Sequence, residues 1–148
     1  MSNRSRGFSH ERDLARRLWN EGFAVIRAPA SGSRARILKY PDIVALYKGR
    51  IIALEAKTAG EEKAIYVRRE QVEKLLEFSK RAGASPFIAV KFVGEGEWFF
   101  VPLDRLVEAG DSFKIPVEAV RKGFRLKGLV SLVKGGKSLL EYTGESTP

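Results

Sequence analysis

Apolar residues recur along this chain in two rhythms, and the switches between them outline a fold. Leu14, Ala15, Leu18 and Trp19 fall at helical spacing, with Ser9 placed to cap the helix and Gly22 just past an end near Asn20. "FAVIRA" (23–28) alternates and predicts a strand, closed by Pro29. "PDIVALYKGRIIALEAK" (41–57) reads as two half-buried strands around a turn at Lys48–Gly49. A second helix is expected within "YVRREQVEKLLEFSKRAGA" (66–84), apolar at Val72, Leu75, Leu76 and Ser79 and stopped by Gly83. "PFIAVKF" (86–92) and "EWFFVP" (97–102) predict strands across the "VGEGE" turn. A short helix is expected near 103–109 and an amphipathic one near 125–133. Strands and helices interleave, so the expected class is α/β, a central mixed β-sheet flanked by helices.

The 148 residues suit one domain, 1–148, with loose ends at 1–7 and from about 135 to 148. Leu126, Leu129, Val130, Leu132 and Val133 in the last helix are either core or a subunit interface. No apolar run approaches the roughly 18 residues of a membrane span. "MSNRSRGFSHERD" lacks the apolar stretch of a secretory signal, so a cytoplasmic protein is expected.

Three charges interrupt the 41–57 hairpin: Asp42, Glu55 and Lys57. A turn at Lys48–Gly49 pairs Tyr47 with Arg50, Leu46 with Ile51 and Val44 with Ala53. The same register sets Asp42 opposite Glu55, and Lys57, two residues on, shares the face of Glu55. A one-residue slip would scatter this group but would also misplace the apolar face. Cross-strand carboxylates about 5 Å apart repel by roughly 3 kcal/mol at an effective dielectric of 20. A divalent cation turns that repulsion into attraction. Glu11, at the inward edge of the first helix, either complements the helix dipole or supplies a third acid. The plainer alternative is a surface ion-pair cluster in which Lys57 neutralises Asp42 or Glu55.

Composition narrows the chemistry. The chain has no cysteine, which excludes disulfides, thiolate metal sites and thiol nucleophiles, and one histidine, His10, which argues against imidazole-built metal sites. Oxygen ligands favour Mg²⁺, with Mn²⁺ as a substitute. Lys and Arg total 27 against 18 Asp and Glu, a net charge of +9 that points to a polyanionic partner, most often nucleic acid. The alternative is a basic, solubilising surface. An anionic membrane is disfavoured, because no basic amphipathic segment with a broad apolar face stands out. Metal ion, carboxylates and lysine together fit phosphodiester hydrolysis. Schiff-base catalysis by Lys57 would want a lysine away from carboxylates.

Pro41-Asp42 followed by Glu55-Ala56-Lys57 resembles the PD-(D/E)xK motif of restriction-endonuclease-like nucleases. With "GFAVIRAPASGS", "YPDIVAL", "LEAK" and "IYVRREQVEKLLEFSKRAGASPFIAVKF", residues 7–105 are similar to the archaeal Holliday-junction resolvases. The resemblance implies a restriction-endonuclease-like core and a homodimer that cuts four-way DNA junctions with Mg²⁺. It implies Glu11, Asp42 and Glu55 as metal-binding acids, Lys57 as the transition-state lysine and Ser31 as a catalytic serine. Arg12 and Arg27 match basic residues near the site, Lys91 also matches a basic position, and all three are expected to bind DNA. Some relatives carry a second aromatic one helical turn after the position of Phe78, where this chain has Ala82.

Read from the residues alone, Ser31 is a turn residue or a phosphate-touching hydroxyl on a basic loop. Arg27 is a buried ion-pair partner or a phosphate clamp. Arg34, Arg36 and Lys39, with Arg4 and Arg6 near the N-terminus, are backbone contacts to DNA or a solvated surface. His10 is a general base or a local partner of a nearby acid. The competing functions are a duplex or flap nuclease on the same scaffold, and a non-catalytic binder of structured DNA.

Overall fold

The computed structural model describes residues 3–29 and 38–135, with side chains from Ser9 onward. Helix α1 (Asn3–Asn20) leads to strand β1 (Ala24–Arg27), the hairpin β2 (Ile43–Tyr47) and β3 (Arg50–Ala59), and a short β4 (Ile65–Arg68). Helix α2 (Arg69–Ala82), β5 (Ser85–Phe92) and β6 (Trp98–Pro102) follow. After a 3₁₀ turn at Leu103–Arg105 come β7 (Val107–Ala109), β8 (Ser112–Ile115), α3 (Val117–Arg121), β9 (Phe124–Arg125) and α4 (Leu126–Lys134).

Six strands form one sheet in the order β1-β2-β3-β5-β6-β9, and β4-β8-β7 form a second, antiparallel sheet. In the larger sheet only the β3–β5 pair is parallel, so the sheet is mixed. A parallel pair needs a long crossover, and β4 with α2 provides it. The β2–β3 register pairs Tyr47 with Arg50, Leu46 with Ile51 and Val44 with Ala53, as expected. Lys48 and Gly49 both have positive φ (46° and 85°), the backbone of a tight turn whose twist matches its strands.

Period-two alternation divides the interior between the two faces of the large sheet. On one face Ile52, Leu54, Phe87 and Ala89 pack under Leu14 and Leu18 of α1 and Leu129 and Val133 of α4. On the other, Ala53, Ile88 and Val90 pack with Val72 and Leu75 of α2, Val120 of α3 and Ile65, Val67 and Ile115 of the small sheet. Leu14 and Leu18 are fully buried, which contributes about 1.5–3 kcal/mol each. β5 is buried on both faces, which is why its sequence is almost continuously apolar.

Several expected details change. Helix α1 starts at Asn3, so Ser9 lies inside it rather than at its cap. Trp19 and Leu76, assigned to apolar stripes, are 65% and 44% exposed, since each sits at the edge of its helix's inward face. Residues 65–68 are a strand, because Ile65 and Val67 alternate inward before the helical rhythm begins. The helix expected near 103–109 is only the 3₁₀ turn, after which the chain pairs as β7 with β8. Leu129, Leu132 and Val133 of α4 are core. No helix among the described residues is long and apolar enough to cross a membrane.

Candidate active site

The site lies where the β2–β3 ladder ends. Its last pair is Ile43–Leu54, so Asp42 stands one residue before β2, opposite the chain leading from Glu55. Asp42 ties neighbouring segments together: its carbonyl accepts the Ala28 N–H (2.8 Å), and its Oδ2 accepts the Ala56 N–H (2.9 Å). The side chain thus satisfies an amide that β2 no longer covers, and in doing so the carboxylate is held beside Glu55.

Glu55 is 2% exposed, and its Oε1 has no hydrogen-bond partner among the described residues. Burial, then the charge of Asp42, lifts its pKa to about 8; Lys74 and Lys57 pull the other way, and a hydrogen bond shared with Asp42 adds to the rise. Glu11 reaches toward the same place from α1. Burial and Asp42 raise it to about 7, opposed by Arg27 and Lys57. Asp42 is therefore the common neighbour of two acids that resist ionisation.

Lys57 shares the face of Glu55, as the register requires. Its ammonium donates to Oε1 of Gln71 on α2 at 2.9 Å. Among the described residues it forms no ion pair with Glu11, Asp42 or Glu55. Also among the described residues, no three of His, Asp and Glu converge closely enough to hold an ion as they stand. The two acidic contacts run separately through Asp42. The donor set still suits a hard divalent cation, because all three candidates offer carboxylate oxygens and Glu55 has one with no partner among the described residues.

The remaining expected residues divide into three groups. Arg12, Arg27 and Lys39 are exposed; Arg12 donates to Ser9 Oγ (3.2 Å), and Arg27 acts electrostatically on Glu11. Lys91 is only 9% exposed, and its ammonium lies 3.4 Å from Asp13 Oδ2 and 5.6 Å from the centre of the Trp98 ring. It does not join the exposed basic set. Ser31, Arg34 and Arg36 lie outside the described residues, as do the side chains of Arg4 and Arg6, whose backbone is in α1. His10 stands with the Lys91 group: burial, then Lys91, hold its pKa below the ordinary value, with Asp13 opposing. Phe78 packs against the second core, and Ala82 is half-buried at the end of α2.

Sequence reasoning missed Gln71, Lys74 and Asp13. Gln71 and Lys74 are three apart on the flank of the Val72–Leu75 stripe, so both face β3, a signal available from helical phase. Asp13 collects Arg17 Nε (3.0 Å), Trp98 Nε1 (3.2 Å) and Lys91 Nζ. Its last two partners come from strands far along the chain, and nothing local announces them.

Comparison with known proteins places these features in a family context. A family model described as archaeal Holliday junction resolvase (hjc) matches residues 2–138. Over 133 residues the chain is 43% identical to the crossover junction endodeoxyribonuclease Hjc of Sulfurisphaera tokodaii, covering 90% of this chain and 91% of that protein. The Hjc of Sulfolobus acidocaldarius is 37% identical over 135 residues, covering 91% and 93%. Among solved structures, Archaeoglobus fulgidus Hjc, a Holliday junction resolvase, superimposes with a TM-score of 0.75 at 31% identity, covering 85% of this chain and 96% of that one.

Proposed function

The chain belongs to the archaeal Holliday junction resolvase family, and from that premise we propose that its Asp42-centred cluster cuts four-way DNA junctions with a divalent cation. It is a crossover junction endodeoxyribonuclease, a hydrolase of phosphodiester bonds acting in recombination and repair. The observation that supports this assignment of the site is the buried, unpartnered oxygen of Glu55 beside Asp42, with Lys57 on the same sheet face.

In this reading Glu11, Asp42 and Glu55 hold Mg²⁺, for which Mn²⁺ substitutes. When bound, such an ion screens the scissile phosphate and lowers the cost of ionising the attacking water. Asp42 keeps the carboxylates at the strand end through the Ala56 amide. Lys57 stabilises negative charge growing on the phosphate, and its charge is available because its partner is a neutral amide. Ser31 contacts the phosphate near the cut. Arg4, Arg6, Arg12, Arg27, Arg34, Arg36 and Lys39 neutralise the DNA backbone. A four-way junction has two-fold symmetry and needs paired cuts, so the working unit is a homodimer.

The test uses a labelled immobile four-way junction with and without Mg²⁺, beside linear duplex and flap substrates. Cleavage confined to the junction, abolished by EDTA and by Asp42→Asn, is expected. Cutting that survives EDTA, or an active Asp42→Asn protein, would overturn the assignment. Sedimentation at low salt should give a dimer; a monomer alone would refute paired cutting by a preformed homodimer.

A further inference from the structure

Lysine carries a compact charge on a flexible four-carbon stem. An ammonium near carboxylates would ordinarily settle onto one of them, and its charge would be cancelled there. Lys57 does not: its nitrogen is held 2.9 Å from the side-chain oxygen of Gln71, a neutral acceptor. The contact joins β3 to the first turn of α2, and Val72 and Leu75, buried in the second core, fix that helix against the strand. Gln71 is consequently presented by a packed element, and the reach of its side chain decides where the ammonium sits.

We propose that Gln71 is a positioning residue for the nuclease reaction: its side-chain oxygen holds the Lys57 ammonium in place without neutralising it, so that the full positive charge is available to the phosphate. This rests on the reading of Lys57 given above and adds a second residue acting through it. An acid at position 71 would hold the lysine equally well but would cancel the charge it is meant to deliver. An apolar residue there would leave the ammonium free to fall onto Glu11, Asp42 or Glu55. A side-chain amide avoids both outcomes. Gln71 needs no contact with DNA, so its removal acts on the chemical step and leaves binding alone.

The test is single-turnover cleavage of a four-way junction by the full chain at saturating Mg²⁺, with junction Kd and Tm measured in parallel for wild type, Gln71→Met, Gln71→Asn and Lys57→Met. Gln71→Met keeps length and helix propensity and removes only the acceptor. Its cleavage rate should fall by about 10- to 100-fold while Kd and Tm stay within about two-fold and two degrees of wild type. Gln71→Asn keeps the amide but falls one methylene short, and should behave alike; it decides the matter if Gln71→Met loses stability. A wild-type rate in Gln71→Asn together with Gln71→Met would overturn the proposal, because packing alone would then suffice. A weakened Kd with an unchanged rate at saturation would also overturn it, making Gln71 a DNA contact. Lys57→Met cutting like wild type would refute the reading of the site itself, and the positioning role with it. An inactive Lys57→Met beside a fully active Gln71→Met would refute the positioning role only.

Discussion

The ammonium of Lys91 lies 3.4 Å from the carboxylate of Asp13, joining the C-terminal end of β5 to the helix that carries Glu11. Asp13 also accepts the Trp98 indole N–H and pairs with Arg17. Burial pushes its carboxyl upward, but Trp98, Lys91 and Arg17 together hold it below the usual range. Its contribution to stability is therefore present above the unfolded pKa and is lost as pH falls through the lower, folded one.

Asp13→Ala leaves Lys91 buried without a counter-charge. The pair is partly solvated, so the expected cost is about 1–3 kcal/mol, below that of a fully buried pair. Thermal denaturation at pH 7 should show a drop of several degrees in Tm. Combining the change with Lys91→Met should recover part of the loss, because the orphaned charge is removed with its partner.

The acids of the site impose the opposite pH dependence. Glu55 and Glu11 stay protonated in the folded chain up to about 8 and about 7, against 4.5 for an ordinary glutamate. Between these values the folded state retains protons that the unfolded state has released, so stability of the metal-free protein falls as pH rises through that window. Urea denaturation in EDTA should give a higher stability at pH 5 than at pH 8. Glu55→Gln should flatten that difference and stabilise the protein at pH 8 by about 1–3 kcal/mol, since a neutral amide costs less to bury than a carboxylate.

Added Mg²⁺ should raise Tm, and by more at pH 8 than at pH 5, where protons compete for the same oxygens. At a hundred-fold excess over Kd the gain is about 2.7 kcal/mol. In Asp42→Asn the Mg²⁺-dependent rise in Tm should vanish together with cleavage, while the junction still binds. Calorimetric titration of both proteins checks the point independently.

Junction affinity should fall steeply with salt, about 0.9 log units per log unit of salt for each phosphate neutralised. Arg12→Ala, Arg27→Ala and Lys39→Ala should each reduce that slope by about one. Lys91→Met should leave it unchanged, because its ammonium is committed to Asp13. Fluorescence anisotropy over a salt series separates the two groups.

The sequence made the hairpin, its register and its acids legible because period-two burial on both sides of one tight turn leaves a single consistent pairing. Helices α1, α2 and α4 were legible for the same kind of reason. The small sheet was not. All three residues of β7 are exposed and carry no alternation, and β4 runs into α2 with no break in composition. Gln71 and Asp13 escaped because their importance lies in partners 14 to 85 positions away. Lys91 was recognisable as a basic position, but its burial beside Asp13 and Trp98 was not.

Glu11 is borne by α1 on one face of the large sheet, while Gln71 steadies Lys57 from α2 on the other. The proposed reacting groups thus stand like the two scales of a vernier, one in each layer, with the large sheet between them. A small shift of either layer on warming should separate these groups while the strands remain paired. Activity is accordingly expected to fall on heating before the chain unfolds, which cleavage and circular dichroism followed over one temperature ramp would check.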